Sequence, residues 1–316
     1  MVDSASKATA LRTAYATPVN AEEARIRLEE AARHRDAGRL EEAGSLYSAI
    51  ISGLPRNGEG QQELFNAYEE LIRIRGREGR TARALRLFRQ YVGDCAPACD
   101  PAYDQMYGDG LLATKTPPVP LRRRQRFHTL VQLFRQTLPL EGWVAECGCF
   151  RGLSSYLLCS TLKGADGGFS GTGYRIFDSF MGLSAPQPED AIADTEPDAA
   201  EIRGTARAGR LAAPLDHVKA ALSSFPHIEY FPGWIPEEFP DDPAARYRFI
   251  HVDVDLYQPT RDSLEYFSPR MTPGGIIVCD DYGWPGARKA VEEFSARASI
   301  PFRVTSHHQA WFAYGA

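Results

Sequence analysis

A doubly wound α/β sheet preceded by an all-α region is the fold class this 316-residue sequence predicts. Three observations lead there. From Gly142 onward, short apolar runs alternate with helical segments, the mark of successive βαβ units. Two of those runs, RFIHVDVDLY at 248–257 and GIIVCDDY at 275–282, are rich in β-branched residues and each ends in two carboxylates. Between residues 21 and 112, apolar side chains instead recur at i, i+3 and i+4, the period of amphipathic helices.

Composition narrows the class. A hydrophobic content of 43% and a charged content of 24% are ordinary for a globular protein. The net charge of −5 opposes a nucleic-acid or membrane-surface binder, which would be basic. No apolar run reaches the length of a membrane span and the first residues lack a signal-peptide core, so the expected location is cytoplasmic. Cys147, Cys149, Cys159 and Cys279 fall in predicted core elements as small buried residues, in keeping with a reducing compartment. Cys95 and Cys99 form a Cys-x₃-Cys pair with no second pair at metal-ligand spacing, which opposes a zinc site.

Residues 1–20 are small, polar and aperiodic, and read as a mobile tail. Helices are expected over 22–36, 43–54, 63–74 and 82–92. An internal echo aligns AGRLEEA at 37–43 with EGRTARA at 78–84, followed by Leu46-Tyr47 against Leu87-Phe88. Gly in the turn, then Ala and an aromatic, resembles the tetratricopeptide hairpin. Copies at 37 and 78 are spaced more widely than the usual ~34 residues. Two units are fewer than a free-standing solenoid needs, so region 21–112 is expected as a helical cap or a homo-oligomer contact, with a peptide groove as the lesser reading. Residues 94–120, rich in Pro, Gly and Asp, read as a hinge, with 113–120 as the linker proper. The α/β domain then spans 121–316. It opens on an amphipathic helix whose apolar face is Phe127, Leu130, Val131, Phe134 and Leu138, and whose arginine run at 122–126 is read as a solvated face.

Strands are expected at 143–148, 174–178 and 227–231, then in the two carboxylate-ended runs, with closing strands at 302–305 and 310–314. Helices are expected near 154–162, 215–221, 260–267 and 286–298. The acidic stretch 186–201 reads as an insertion, either a lid over an acceptor or a surface loop. Ligands of open α/β sheets bind at the carboxyl ends of the strands. Aspartates from adjoining strands would repel one another there without a cation, and hard oxygen ligands suit Mg²⁺, Mn²⁺ or Ca²⁺. Each Asp would otherwise be a helix-capping residue.

The first strand runs into ECGCFRGLSS at 146–155, whose two glycines, four apart, let the backbone turn and approach a ligand closely. A dinucleotide site would want three glycines. Glu146 would repel a pyrophosphate but suit an amine-bearing cofactor, which favours S-adenosylmethionine over NAD. Asp178, ending the second strand, is placed to accept from ribose hydroxyls of either.

These motifs, with FDSFMGL at 177–183, PGW at 232–234, HVDVDLY at 251–257 and PGG at 273–275 running to DDY at 280–282, together resemble the macrocin O-methyltransferase (TylF/MycF/NovP-like) family. The resemblance covers about 121 to the C-terminus. It implies a class I methyltransferase (Rossmann-like) sheet, S-adenosylmethionine, a divalent cation (Mg²⁺ or Mn²⁺) and a hydroxyl acceptor, often a sugar on a natural product, glycosylated or carrier-bound. By that likeness Glu146, Gly148, Gly152, Ser154, Asp178 and Ser179 hold the cofactor, with Trp234 near its adenine. Asp280 and Asp281 bind metal, and the third ligand is Asp253 or Asp255. Side-chain alternation would let both reach the site, and Asp255 is favoured as nearer the strand end. Leu153 stands where the family's second glycine is expected, and the helical region lies outside the common pattern.

Methyl transfer needs a deprotonated, oriented oxygen. Vicinal substrate hydroxyls on the cation would supply it, with Asp253 or His251 taking the proton. His251 reads equally as a buried strand residue, and His307 and His308 are weaker candidates. The competing functions are an NAD-dependent enzyme on the same fold and a scaffold with a relic α/β half.

Overall fold

The computed structural model describes residues 18–55, 59–95, 100–116, 121–193 and 199–315. The chain divides into two compact units, one up to Leu121 and one from Arg122.

The first unit is helical. Helices α1 (Ala21–Asp36), α2 (Leu40–Gly53), α3 (Gln61–Arg77), α4 (Thr81–Cys95) and α5 (Pro101–Ala113) pack in sequence. The echo in the sequence is an echo in the backbone. Gly38 and Gly79 take left-handed φ values of 75° and 70°. The following amides close the same turn, Arg39 N–H donating to His34 O and Arg80 N–H to Arg75 O, both at 2.9 Å. Ala43 and Tyr47 of one hairpin and Ala84 and Phe88 of the other are buried at matching positions.

Two expectations are corrected here. The stretch 94–120 is not all hinge, because α5 occupies its middle. Asp100 accepts from Tyr103 N–H at 3.0 Å and Pro101 opens the first turn, so the residues read as loop formers are a helix start signal. Tyr103, Tyr107 and Leu111, at helical spacing, are buried. Residues 19 and 20 are not tail, since Val19 is buried and Asn20 caps α1 by accepting from Glu23 N–H. The rest of that tail and Cys99 lie outside the described residues.

The second unit begins with α6 (Leu121–Gln136) and continues β1 (Trp143–Cys147), α7 (Leu153–Ala165), β2 (Tyr174–Asp178), α8 (Ala199–Thr205), α9 (Leu215–Ala221), β3 (Glu229–Pro232), β4 (Tyr247–Val252), α10 (Tyr257–Phe267), β5 (Met271–Cys279), α11 (Pro285–Ala298), β6 (Phe302–Val304) and β7 (Ala310–Ala313). Seven strands form one sheet in the order β3-β2-β1-β4-β5-β7-β6. The first five are parallel, and β7 runs antiparallel between β5 and β6. Successive side chains enter opposite cores: Val144, Ile176, Phe249 and Val278 on one face, Ala145, Phe177, Ile250 and Ile277 on the other. Burial on both faces is why these strands read as continuous apolar runs.

Leu130, Val131 and Phe134 of α6 are buried, as the apolar stripe predicts. The arginine run is corrected: Arg124 is buried and Arg126 points into a carboxylate cluster described below. Among its described residues, the insertion at 186–201 holds the helical turn Pro188–Asp190 and the start of α8. Cys147, Cys149, Cys159 and Cys279 are buried free thiols. Among the described residues no helix is long and apolar enough to cross a membrane.

Candidate active site at the carboxyl edge of the sheet

Strand order reverses direction between β1 and β4, and the loops leaving these strands meet there. Gly148, with φ 79°, follows β1. A Cβ at this position would collide with the carbonyl oxygen of Asp253, the residue just past β4. Only glycine fits such a left-handed, sterically closed position. Gly152, φ 87°, opens α7, and the buried Ser154 sits in its first turn.

Asp178 ties this loop down. Its Oδ2 accepts from the N–H groups of Cys149 (2.7 Å) and Phe150 (3.2 Å), and its Oδ1 from Phe180 N–H at 2.7 Å. Burial pushes its carboxyl above the ordinary value, and the three backbone donors oppose that shift. Ser179 donates to Gly182 O and accepts from Met181 N–H, forming the turn after β2. Trp234 follows β3 and is 42% exposed, a large aromatic on the same edge of the sheet.

Glu146 does not open onto the loop as expected. It has no exposed surface. Its Oε2 accepts from the hydroxyls of Ser155 and Tyr174, and its Oε1 pairs with His251 Nδ1 at 2.8 Å. The carboxylate lies one residue before the strand end, so it turns into the layer between sheet and α7. Its burial makes it a holder of neighbouring side chains, with His251 the one that faces the carboxylates.

His251 is likewise fully buried, and its Nε2 has no hydrogen-bond partner. That atom is 3.6 Å from Asp280 Oδ1, which also accepts from Gln309 Nε2 at 2.6 Å. His251, Asp253 and Asp280 each present one ligand atom, all within 4.8 Å of one another. Asp281 belongs beside them: its Oδ2 accepts from the backbone N–H of Asp255 at 3.1 Å. Asp255, the favoured third ligand, lies outside that group of three, though its charge acts on Asp281. β4 ends at Val252, so strand alternation no longer governs residues 253–255, and Asp255 takes a left-handed φ of 60°.

Electrostatics mark the cluster as strained for charge. Burial and the charge of Asp253 push the Asp255 carboxyl up to about 7. Burial, then Asp255 and Asp253, hold Asp281 well above the carboxylate range. Arg126 counters both, and Arg123 also acts on Asp255. Arg126 Nη2 lies 3.5 Å from Asp253 Oδ1 and 3.2 Å from Asp281 Oδ1, and is in contact with Asp280 Oδ2. The carboxylate oxygens of this cluster suit Mg²⁺ or Mn²⁺, whereas the buried, unpartnered imidazole nitrogen is a donor that such hard cations take less readily than softer divalent metals do. The carboxylate-held His251 also matches the second-shell arrangement of metal-binding histidines.

Two residues of this site escaped the sequence reading. Gln309 follows a turn and carries no motif. Arg126 did carry a signal, because it stands four residues before Leu130 and eight before Phe134, on the inward row of α6.

Comparison with known proteins agrees with the geometry. Over 167 residues the chain is 33% identical to the 8-demethyl-8-(2,3-dimethoxy-alpha-L-rhamnosyl)-tetracenomycin-C 4'-O-methyltransferase of Streptomyces olivaceus, covering 51% of this chain and 60% of that protein. It is 29% identical over 177 residues to the mycinamicin III 3''-O-methyltransferase of Micromonospora griseorubida, covering 55% and 67%. The match thus spans less than two thirds of the first relative's length. Among solved structures, the O-methyltransferase NovP aligns over 75% of this chain and 100% of its own with a TM-score of 0.51 at 20% identity. The calicheamicin methyltransferase CalS11 aligns over 69% and 95% with a TM-score of 0.50 at 21% identity. These two likenesses establish a methyltransferase-type sheet. The macrocin-O-methyltransferase (TylF) profile matches residues 119–311, well over half the sequence, and the chain belongs to that family.

Proposed function

We propose that this chain moves the methyl group of S-adenosylmethionine to a hydroxyl of a glycosylated natural product, with Mg²⁺ or Mn²⁺ at the acidic cluster. The observation that carries this reading is the convergence of Asp253, Asp280 and Asp281 with the orphan His251 nitrogen, beside the glycine loop at the strand switch. The two relatives, a rhamnosyl-tetracenomycin-C 4'-O-methyltransferase and a mycinamicin III 3''-O-methyltransferase, support the acceptor class.

The loop 148–152, Ser154, Asp178, Ser179 and Trp234 would hold the donor, and Glu146 would act on it only through the side chains it fixes. Asp253, Asp280 and Asp281 would hold the cation, with His251 behind them. When bound, the dication lowers the pKa of the attacking hydroxyl. The new C–O bond forms as the C–S bond breaks, leaving S-adenosylhomocysteine and one proton. Asp253, its side chain 25% exposed where His251 is sealed, is the base that can receive that proton.

The test is methyl transfer from labelled S-adenosylmethionine to a panel of rhamnosylated polyketides. Turnover should vanish in EDTA and return with Mg²⁺, and Asp253→Asn should lower kcat by about 10²–10⁴-fold. Undiminished turnover in EDTA would sink the cation's part. A panel left unmethylated by enzyme that binds the donor would sink the acceptor class.

A further inference from the structure

The nitrogen at the centre of the three carboxylates is protein. Arg126 Nη2 reaches Asp253, Asp280 and Asp281 at once, from a helix far away in sequence. Its own Nε is buried without a hydrogen-bond partner, so the side chain is held by charge at its tip. A cation and a guanidinium cannot share that point. Like charges at such distance repel strongly in a buried setting.

We propose that Arg126 is a built-in competitor for the dication: it neutralises the cluster while metal is absent, and metal binding expels it and loosens the first turns of α6. This rests on the cation reading of the same carboxylates. The chemistry is an exchange of one positive group for another, with no bond made or broken. The arginine offsets the repulsion of the metal-free site, and it lowers the apparent metal affinity to the intrinsic affinity times the fraction of time the cluster stands vacated.

Mn²⁺ binding to the full chain, read from the electron spin resonance of free Mn²⁺, tests this without turnover. If the vacated state is populated at the 1–10% typical of minor conformers, Arg126→Gln should bind Mn²⁺ about ten- to a hundredfold more tightly than wild type, and Asp280→Asn far more weakly. Equal or weaker binding by Arg126→Gln, with binding lost in Asp280→Asn, would leave the cation site standing and overturn the competitor. Absence of Mn²⁺ binding in every form would overturn both. Should Arg126→Gln fail to fold, wild-type hydrogen exchange decides. Saturating Mn²⁺ should speed exchange of the amides at 123–128, and unchanged or slower exchange there overturns the proposal.

Discussion

Glu146 accepts from Ser155, Tyr174 and His251 without any exposed surface. Replacing it by alanine would strand three buried polar groups, and breaking a buried pair of this kind costs about 3–5 kcal/mol. Arg297 and Glu265 make an equally short pair, 2.7 Å, but with side chains 57% and 43% exposed. Arg297→Ala should stay within about 0.5 kcal/mol of wild type. Urea unfolding of the two variants measures the contrast, and near-equal losses would show that Glu146 is not the anchor of this layer. The glutamate's presence at the end of β1 was plain in the sequence. Its direction was not, because a strand buried on both faces gives no polar side by which to orient a carboxylate.

At the scale of elements, what the sequence displays is periodicity and turn chemistry. The i, i+4 rows of α6 and the apolar runs of β4 and β5 survive into the structure because burial enforces them. α5 was missed because Pro101 and the glycines at 108 and 110 outweighed the Tyr103–Tyr107–Leu111 row. Strand alternation does not carry through residues 253–255, because the strand ends at Val252, sooner than its apolar run. The insertion after β2 also shows its attachment only in three dimensions. Asp190 Oδ1 accepts from Tyr257 N–H at 2.7 Å, capping α10, while Oδ2 accepts from Gln187 N–H at 2.9 Å. A Cβ on Gly286, in the first turn of α11, would strike the same carboxylate. Asp190→Ala should cost about 1 kcal/mol, as lost caps do. Gly286→Ala should dislodge the same loop by crowding. In both variants the amides at 186–193 should exchange faster, while those of β4 and β5 stay slow. Protection of 186–193 at wild-type levels would refute the anchoring.

At the scale of the whole molecule, the family match at 119–311 falls almost wholly within the second compact unit, and the helical unit stands outside it. The strand order then explains why this sheet has one place for chemistry. Crossovers diverge on either side of the β1–β4 pair, opening a crevice at their carboxyl ends. Within that crevice the missing side chain of Gly148 is filled by the Asp253 carbonyl, and Asp253 N–H donates to Cys147 O at 2.8 Å. The glycine loop after β1 and the carboxylate loop after β4 therefore cannot shift independently. Two guests resting on such interlocked supports should sense each other, so saturation with Mg²⁺ should tighten S-adenosylmethionine, and the sulfonium compound should tighten Mg²⁺ by an identical factor. Paired calorimetric titrations closing that thermodynamic square would reveal it, and a factor of one would mean that this backbone lock transmits nothing.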